Sequence, residues 1–151
     1  MLSLLQNHAQ WEKLVANPSL IPNAVEEGLR YRTPFITWRR KALEDVEIRG
    51  VTIPKDATIL LSLASANHDE NHFDCPISFD IERKNARQHL AFGNGIHFCM
   101  GAPLARLEMK ILLEELIARY PNLALIEDEP IEWHYNMGFR GPNKLMVKLG
   151  A

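Results

Sequence analysis

Ala91-Phe92-Gly93-Asn94-Gly95-Ile96-His97-Phe98-Cys99-Met100-Gly101-Ala102-Pro103 is the stretch on which the reading turns. Gly93 and Gly95 permit a tight backbone turn, and Gly101 lets the chain approach another group closely. Pro103 suits the first turn of a helix. Cys99 is thus expected just ahead of a helix N-terminus, facing backbone N–H groups and the positive end of a helix dipole, which favours a thiolate. Three roles are open to it. It is a small apolar filler in a glycine-rich loop. Or it is a nucleophile with His97 as base, although residues two apart on a chain seldom orient as a catalytic pair. Or it is a thiolate metal ligand: structural zinc asks for four protein ligands, whereas one thiolate is enough when a macrocycle supplies the others.

After this loop, Ala105, Met109, Leu112, Leu113, Leu116 and Tyr120 recur at helical spacing, predicting a long, well-buried helix from Gly101 to Tyr120. Before it, residues 67–90 are polar and aperiodic and read as an ordered loop region. Phe35 to Trp38, Val46 to Ile48, Val51 to Ile53 and Thr58 to Leu63 are short β-rich runs, punctuated by Arg49-Gly50 and Pro54-Lys55-Asp56. Further upstream, Leu4, Leu5, His8, Trp11, Leu14 and Val15 predict an amphipathic helix over 3–16. Asn17-Pro18-Ser19 ends it, and Pro22 opens a second helix to Tyr31 that must stop before Pro34. The last thirty or so residues suggest a hairpin with turns at Gly138 and Gly141-Pro142 and a strand over 145–149. The class predicted is α+β, mainly helical.

Composition bounds the possibilities. The chain has 151 residues, 46% apolar and 24% charged, close to the globular average. Lys and Arg total 17 against 19 acidic residues, a balance that speaks against general nucleic-acid binding despite the cluster Arg30, Arg32, Arg39, Arg40 and Lys41. No apolar run approaches the ~20 residues of a membrane span, and Leu2 to Leu5 is too short for a signal segment. Two cysteines do not make a disulfide framework, so a reducing cytoplasm is the simplest compartment. His68 and His72 have the H-x-x-x-H spacing of a zinc pair, but no helical pattern carries them. Cys75, before Pro76 in a loop, reads as inert.

Phe92-Gly93-x-Gly95-x-His97-x-Cys99-x-Gly101 resembles the haem-binding loop of the cytochrome P-450 monooxygenases, and Ala102 to Glu108 resembles its form in soluble bacterial members. Six fixed residues over ten positions make this a specific signal. Other segments fit the same resemblance. Glu27 and Arg30, at i, i+3 on one helix face, resemble the family's Glu-x-x-Arg element. Arg83 resembles the third member of that buried network, its planar fork suited to a bidentate pair with Glu27. Asn67, Asp69 and Phe73 match a further family stretch. Arg40, five positions before Asp45, fits the spacing of an arginine that reaches a haem propionate, and His97 matches a second propionate contact. Ala9, where proline often follows the histidine, and Met100, where leucine is common, are minor departures.

The resemblance runs from about residue 3 to the C-terminus but corresponds only to the C-terminal portion of a family member: helices plus small β-sheets, with the Cys-ligand loop followed by a long helix. Residues 1–151 are accordingly expected to form a single partial domain, without the helix that carries the family's oxygen-activating groups. It implies haem b (iron protoporphyrin IX) held by the Cys99 thiolate and contacted by Arg40, Phe92, Gly93, His97 and Gly101. It further implies O2-dependent hydroxylation of a small apolar substrate, with no nucleic acid and no membrane involved. Electrons would come from a ferredoxin or flavodoxin, docking where Arg106 is exposed. Ile36, Thr37, Asn136 and Met137 match segments that line the substrate pocket. The alternative is a non-catalytic haem-binding or haem-sensing module, or half of a site completed by another chain.

Overall fold

The computed structural model describes residues 1–126, 128–134, 136 and 138–150. In place of one helix over 3–16 there are two, α1 (Leu2–Gln6) and α2 (His8–Ala16). Asn7 separates them: its backbone sits at φ −115°, ψ 66°, and its side-chain Nδ2 donates to the Ser3 carbonyl at 2.7 Å. A short amide side chain offers the backbone a local partner that competes with the helical one, and hydrophobic periodicity does not register it. Leu4, Leu5, Trp11 and Leu14 are buried as their spacing predicts, whereas His8 is exposed. Trp11 is fully buried and donates its indole N–H to the Pro121 carbonyl at 2.8 Å, tying the start of the chain to the end of its longest helix. A 3-10 turn over Pro18–Leu20 leads into α3 (Ile21–Tyr31), with Pro22 in its first turn. One side of α3 gives Ile21, Ala24, Val25 and Leu29 to the core. Unusually, Glu26, Glu27 and Arg30 of the same helix are buried too.

Four strands follow: β1 (Thr37–Lys41), β2 (Val46–Ile48), β3 (Val51–Ile53) and β4 (Thr58–Ser62). The first lies two residues beyond the expected start, because Phe35 is engaged in a separate antiparallel bridge with Phe139. The β2–β3 hairpin closes through Arg49 and Gly50, at φ 50° and 77°, the positive pair that suits a two-residue hairpin turn. β1 pairs antiparallel with β4, Trp38 opposite Leu61 and Arg40 opposite Ile59. Strand alternation therefore places Trp38 and Arg40 on one face and Arg39 on the other. After α4 (Leu63–Ala66), residues 67–90 form the expected ordered loop region, with one 3-10 turn at Ala86–Gln88.

The long helix is present as α5 (Ala102–Arg119), but it is not well buried. Only Ala102, Leu113 and Ile117 are enclosed, while Leu104 is 60% exposed, Leu107 50%, Ile111 48% and Leu112 49%. The helix carries apolar side chains around most of its circumference, the pattern of a helix enclosed on all sides in a larger body. The described part of this chain covers one stripe of it. At the C-terminal end β5 (Ala124–Leu125) pairs with β6 (Val147–Lys148), shorter than the strand expected over 145–149. Gly138 does lie in a turn, where Asn136 Oδ1 accepts from the N–H groups of Gly138 at 2.7 Å and Phe139 at 3.2 Å. Gly141-Pro142 is not a turn but part of the returning arm, where Pro142 bridges Trp133. Lacking an N–H, Pro142 interrupts the ladder there. Among the described residues the strands form three two-stranded sheets around a mainly helical core.

Candidate cofactor site

Cys99 opens onto a cleft of about 730 Å³ between the loop 91–101, the start of α5 and the β1 face, within the ~300–1,000 Å³ usual for cofactor sites. All six residues marked by the sequence as cofactor contacts, Arg40, Phe92, Gly93, His97, Cys99 and Gly101, line this one cleft. Its remaining walls are mostly apolar, with Leu29, Pro34, Phe35, Trp38 and Met109 prominent. The loop that carries the thiol is built by short backbone bonds. Gly93 N–H donates to the Leu90 carbonyl at 2.8 Å, Phe98 N–H to that of Gly95 at 3.0 Å, and Cys99 N–H to that of Phe92 at 2.9 Å. Gly93 stands at φ +73°, a conformation that disfavours any side chain. Cys99 lies two residues ahead of Gly101, the N-cap of α5.

Gly101 answers whether these residues fit a flat prosthetic group. Its φ is an ordinary −80°, and an added Cβ would meet only Cys99 Sγ, at 3.8 Å. Neither backbone conformation nor the packing of the described residues requires glycine there. A glycine there keeps the space beside the thiol clear of any side chain. Arg40 and His97 supply cationic or donor groups on the rim, and among the described residues neither meets a carboxylate within ion-pair distance. A thiol, largely apolar walls and the donors of His97 and Arg40, whose Nη1 is engaged by the Arg39 carbonyl at 2.9 Å, suit a flat, apolar, metal-bearing group with anionic substituents, and Glu108 is the one carboxylate in the lining.

Behind the cleft lies the Glu27–Arg30–Arg83 network. Arg30 is fully buried and donates to both oxygens of Glu27, Nε at 2.7 Å and Nη2 at 2.8 Å. Its other hydrogen bonds go to the carbonyls of Asn67 at 2.8 Å, Pro76 at 2.9 Å and Ser78 at 3.1 Å. The bidentate partner of Glu27 is thus Arg30. Arg83 reaches Glu27 through Nε alone, 3.2 Å from each carboxylate oxygen, and its Nη1 and Nη2 donate to the carbonyls of Asp74, Cys75 and Ser78. Asn67 links this network to the cysteine loop, accepting from Leu90 N–H at 2.7 Å. Phe73, 1% exposed, packs under the Arg30 guanidinium at 5.3 Å.

A second buried cluster went unread in the sequence. Arg106, expected to be exposed, keeps a quarter of its side chain in solvent but is held in an ion pair. It turns inward, donating Nε at 2.6 Å and Nη2 at 3.0 Å to Glu26, and lies 4.7 Å over the Phe92 ring. His89 Nε2 is 3.0 Å from the same carboxylate. Burial pushes the Glu26 carboxyl up, but hydrogen bonds from His89 and Arg106, with the charge of Arg106, outweigh it and lower the group from 4.5 to about 2. The signal available was the adjacent pair Glu26-Glu27 on one helix, of which only the second carries a family motif.

Ile36 and Asn136 converge near one another, since Ile36 N–H donates to Gly138 O at 3.0 Å and Asn136 caps the same turn. None of Ile36, Thr37 and Asn136 lines the cleft, to which Phe35 and Trp38, flanking Ile36 and Thr37 in sequence, contribute instead. Met137 lies outside the described residues. His68 Nδ1 is bonded to the Ala64 carbonyl at 2.9 Å, and among the described residues no group of three His, Cys, Asp or Glu side chains could hold a metal ion. Cys75 is exposed at φ +45°. Among the described residues no helix is long and apolar enough to cross a membrane.

A single exposed thiol in an apolar cleft, ahead of a long helix and braced by buried ion pairs, is the arrangement of a protein that holds a metallo-macrocycle by one sulfur ligand. The chain belongs to the cytochrome P-450 family, whose model matches residues 4–148. It is 46% identical over 148 residues to 6-deoxyerythronolide B hydroxylase of Saccharopolyspora erythraea, covering 97% of this chain and 36% of the relative. Erythromycin C-12 hydroxylase of the same organism is 40% identical over 150 residues, covering 99% and 38%. The crystal structure of the Tepidiphilus thermophilus heme domain of this family superposes with a TM-score of 0.89 at 48% identity, covering 96% of this chain and 35% of that one. The described elements are thus part of the cytochrome P-450 fold, and the chain spans about a third of the length of the curated relatives it matches.

Proposed function

We propose that this chain supplies the thiolate side of a haem monooxygenase site, with haem b as the cofactor and Cys99 as its axial ligand. The observation that carries this reading is the convergence of Arg40, Phe92, Gly93, His97, Cys99 and Gly101 on one cleft. When bound, a thiolate-ligated haem supplies O2 activation, driven by electron donation from sulfur. The residues of this chain orient and protect that group. Gly101 would leave room over the thiol for that group, Phe92 would shield its loop side, and Arg40 and His97 would donate to its anionic substituents. Trp38, Phe35 and Met109 exclude water from the apolar faces. Ile36, Thr37 and Asn136 border the region where a small apolar substrate is held. A ferredoxin or flavodoxin in the cytoplasm would supply the electrons.

The exposed stripe of α5 and the exposed Trp38, Leu60 and Leu61 favour a cleft completed by further polypeptide, since contiguous apolar surface of this kind marks an interface. With this chain alone a bound haem would not be enclosed, and water would not be excluded from the reaction. Weak haem retention and no coupled hydroxylation follow. The test is titration of iron protoporphyrin IX into the purified chain, beside Cys99→Ser and Arg40→Gln. Binding that weakens in both variants supports the reading. Binding indifferent to both contradicts it, and coupled product formation by the chain alone would overturn the expected inactivity.

A further inference from the structure

Glu26 and His89 are buried and Arg106 is a quarter exposed; none of them lines the cleft, and their hydrogen bonds fix more than their own positions. Ala91 N–H donates to His89 Nδ1 at 3.0 Å. A ring nitrogen that accepts carries no proton, so the imidazole proton is on Nε2, where it is donated to Glu26 at 3.0 Å. Glu26 is in turn held by the fork of Arg106 from α5. The result is an unbroken path from the α5 guanidinium through a carboxylate and an imidazole to the backbone of Ala91. The next residue is Phe92, whose carbonyl accepts the Cys99 N–H at 2.9 Å. The Phe92 ring is also braced from outside the cleft, by Arg106 at 4.7 Å and the His89 ring at 5.8 Å.

We propose that Glu26, His89 and Arg106 are positioning residues for the thiolate ligand: a clamp that sets the backbone entering the Cys99 loop and the plane of Phe92. The inference rests on the haem-thiolate reading of the cleft and assigns to it three residues that touch neither thiol nor cofactor. The histidine is the element that a merely packed side chain would not explain, because its two nitrogens make opposite demands, one donating and one accepting, and only one tautomer meets both. The carboxylate sets that tautomer in the same way that an outer partner orients a histidine bound to a metal. The Glu27 network braces the region from the other direction, through Asn67 and Leu90, so the two supports are separable.

The test uses the full chain and two kinds of readout. In ¹⁵N correlation spectra of the haem-free protein, His89 should show a protonated Nε2 and an unprotonated Nδ1. Amide hydrogen exchange at Ala91, Phe92 and Cys99 should quicken on the order of fivefold to tenfold in His89→Phe, the scale of one lost neutral hydrogen bond. In His89→Asn, whose side-chain oxygen can replace Nδ1, protection at Ala91 should return. The Asp80 amide, held by Glu27 at 3.0 Å, should be unaffected in both and reports any global loosening. With iron protoporphyrin IX added, the share of the reduced, carbon monoxide-bound protein showing a thiolate-type Soret band should fall in His89→Phe and recover in His89→Asn. Exchange unchanged at Ala91, or raised equally at Asp80, overturns the clamp, as does the opposite tautomer. A wild-type protein with no thiolate band contradicts the haem-thiolate reading instead, and the clamp is then decided by tautomer and exchange.

Discussion

Replacing Glu27 by alanine should be among the most damaging single changes in the molecule. Glu27 and Arg30 have no solvent exposure and Arg83 retains 8%. Loss of the carboxylate strands two guanidinium groups without a counter-charge, and breaking a buried pair in this way costs about 3–5 kcal/mol. The Asp80 N–H loses its acceptor as well, worth about 1 kcal/mol more. The sum, about 4–6 kcal/mol, is a large share of the ~5–15 kcal/mol that holds a typical domain folded. Equilibrium urea unfolding followed by tryptophan fluorescence and far-ultraviolet circular dichroism measures it. With a slope of about 1–3 kcal/mol/M, the midpoint should move by more than about 1 M. Glu27→Gln keeps one acceptor oxygen and should fall between. Arg30→Lys keeps the charge but has three donors for the five hydrogen bonds, so it should also be destabilised. A loss below about 1 kcal/mol for Glu27→Ala, the size of an exposed surface pair, would refute the reasoning.

The lowered Glu26 carboxyl makes a pH prediction. Its folded value, about 2 against an ordinary 4.5, contributes stability that is fully present above about pH 4.5 and is lost as pH falls toward 2. Acid titration of unfolding stability should show this slope in the wild type and lose part of it in Glu26→Gln. Gly93→Ala, at φ +73°, should cost about 1–2 kcal/mol in urea unfolding. Gly101→Ala, at φ −80° with only an ordinary contact to Cys99 Sγ at 3.8 Å, should leave folding nearly unchanged and weaken haem binding in the titration above. Leu107→Ser with Ile111→Ser, both about half exposed, should cost about 0.5 kcal/mol or less each while reducing self-association and binding of apolar dyes, read by light scattering and fluorescence.

Where one residue type answers one physical demand, the sequence was legible. Gly93 at positive φ, the Arg49-Gly50 turn and the Pro22 helix start could be read because few residues satisfy those backbones. Trp11, Leu14 and Leu29 could be read from spacing alone. The break at Asn7 could not, since a side chain bonding back to Ser3 leaves the apolar period intact. The exposure of α5 was hidden for a related reason: periodicity reports which faces are apolar, not whether the chain at hand covers them. At the site, the family resemblance marked the residues lining the cleft but said nothing of Glu26, His89 and Arg106. Their meaning lies in a three-way meeting of residues 26, 89 and 106, far apart along the chain. Arg106 illustrates the cost, because a charged residue on a long helix reads as exposed until its carboxylate partner on another helix is found.

The account stands most directly on Cys99 as a metal ligand. The deciding measurement is the absorption spectrum of the chain loaded with iron protoporphyrin IX, reduced and exposed to carbon monoxide, beside Cys99→Ser. A strongly red-shifted Soret band that disappears in the serine variant is the predicted result. A band typical of histidine-ligated or free haem in the wild type, or one unchanged by the substitution, would contradict it.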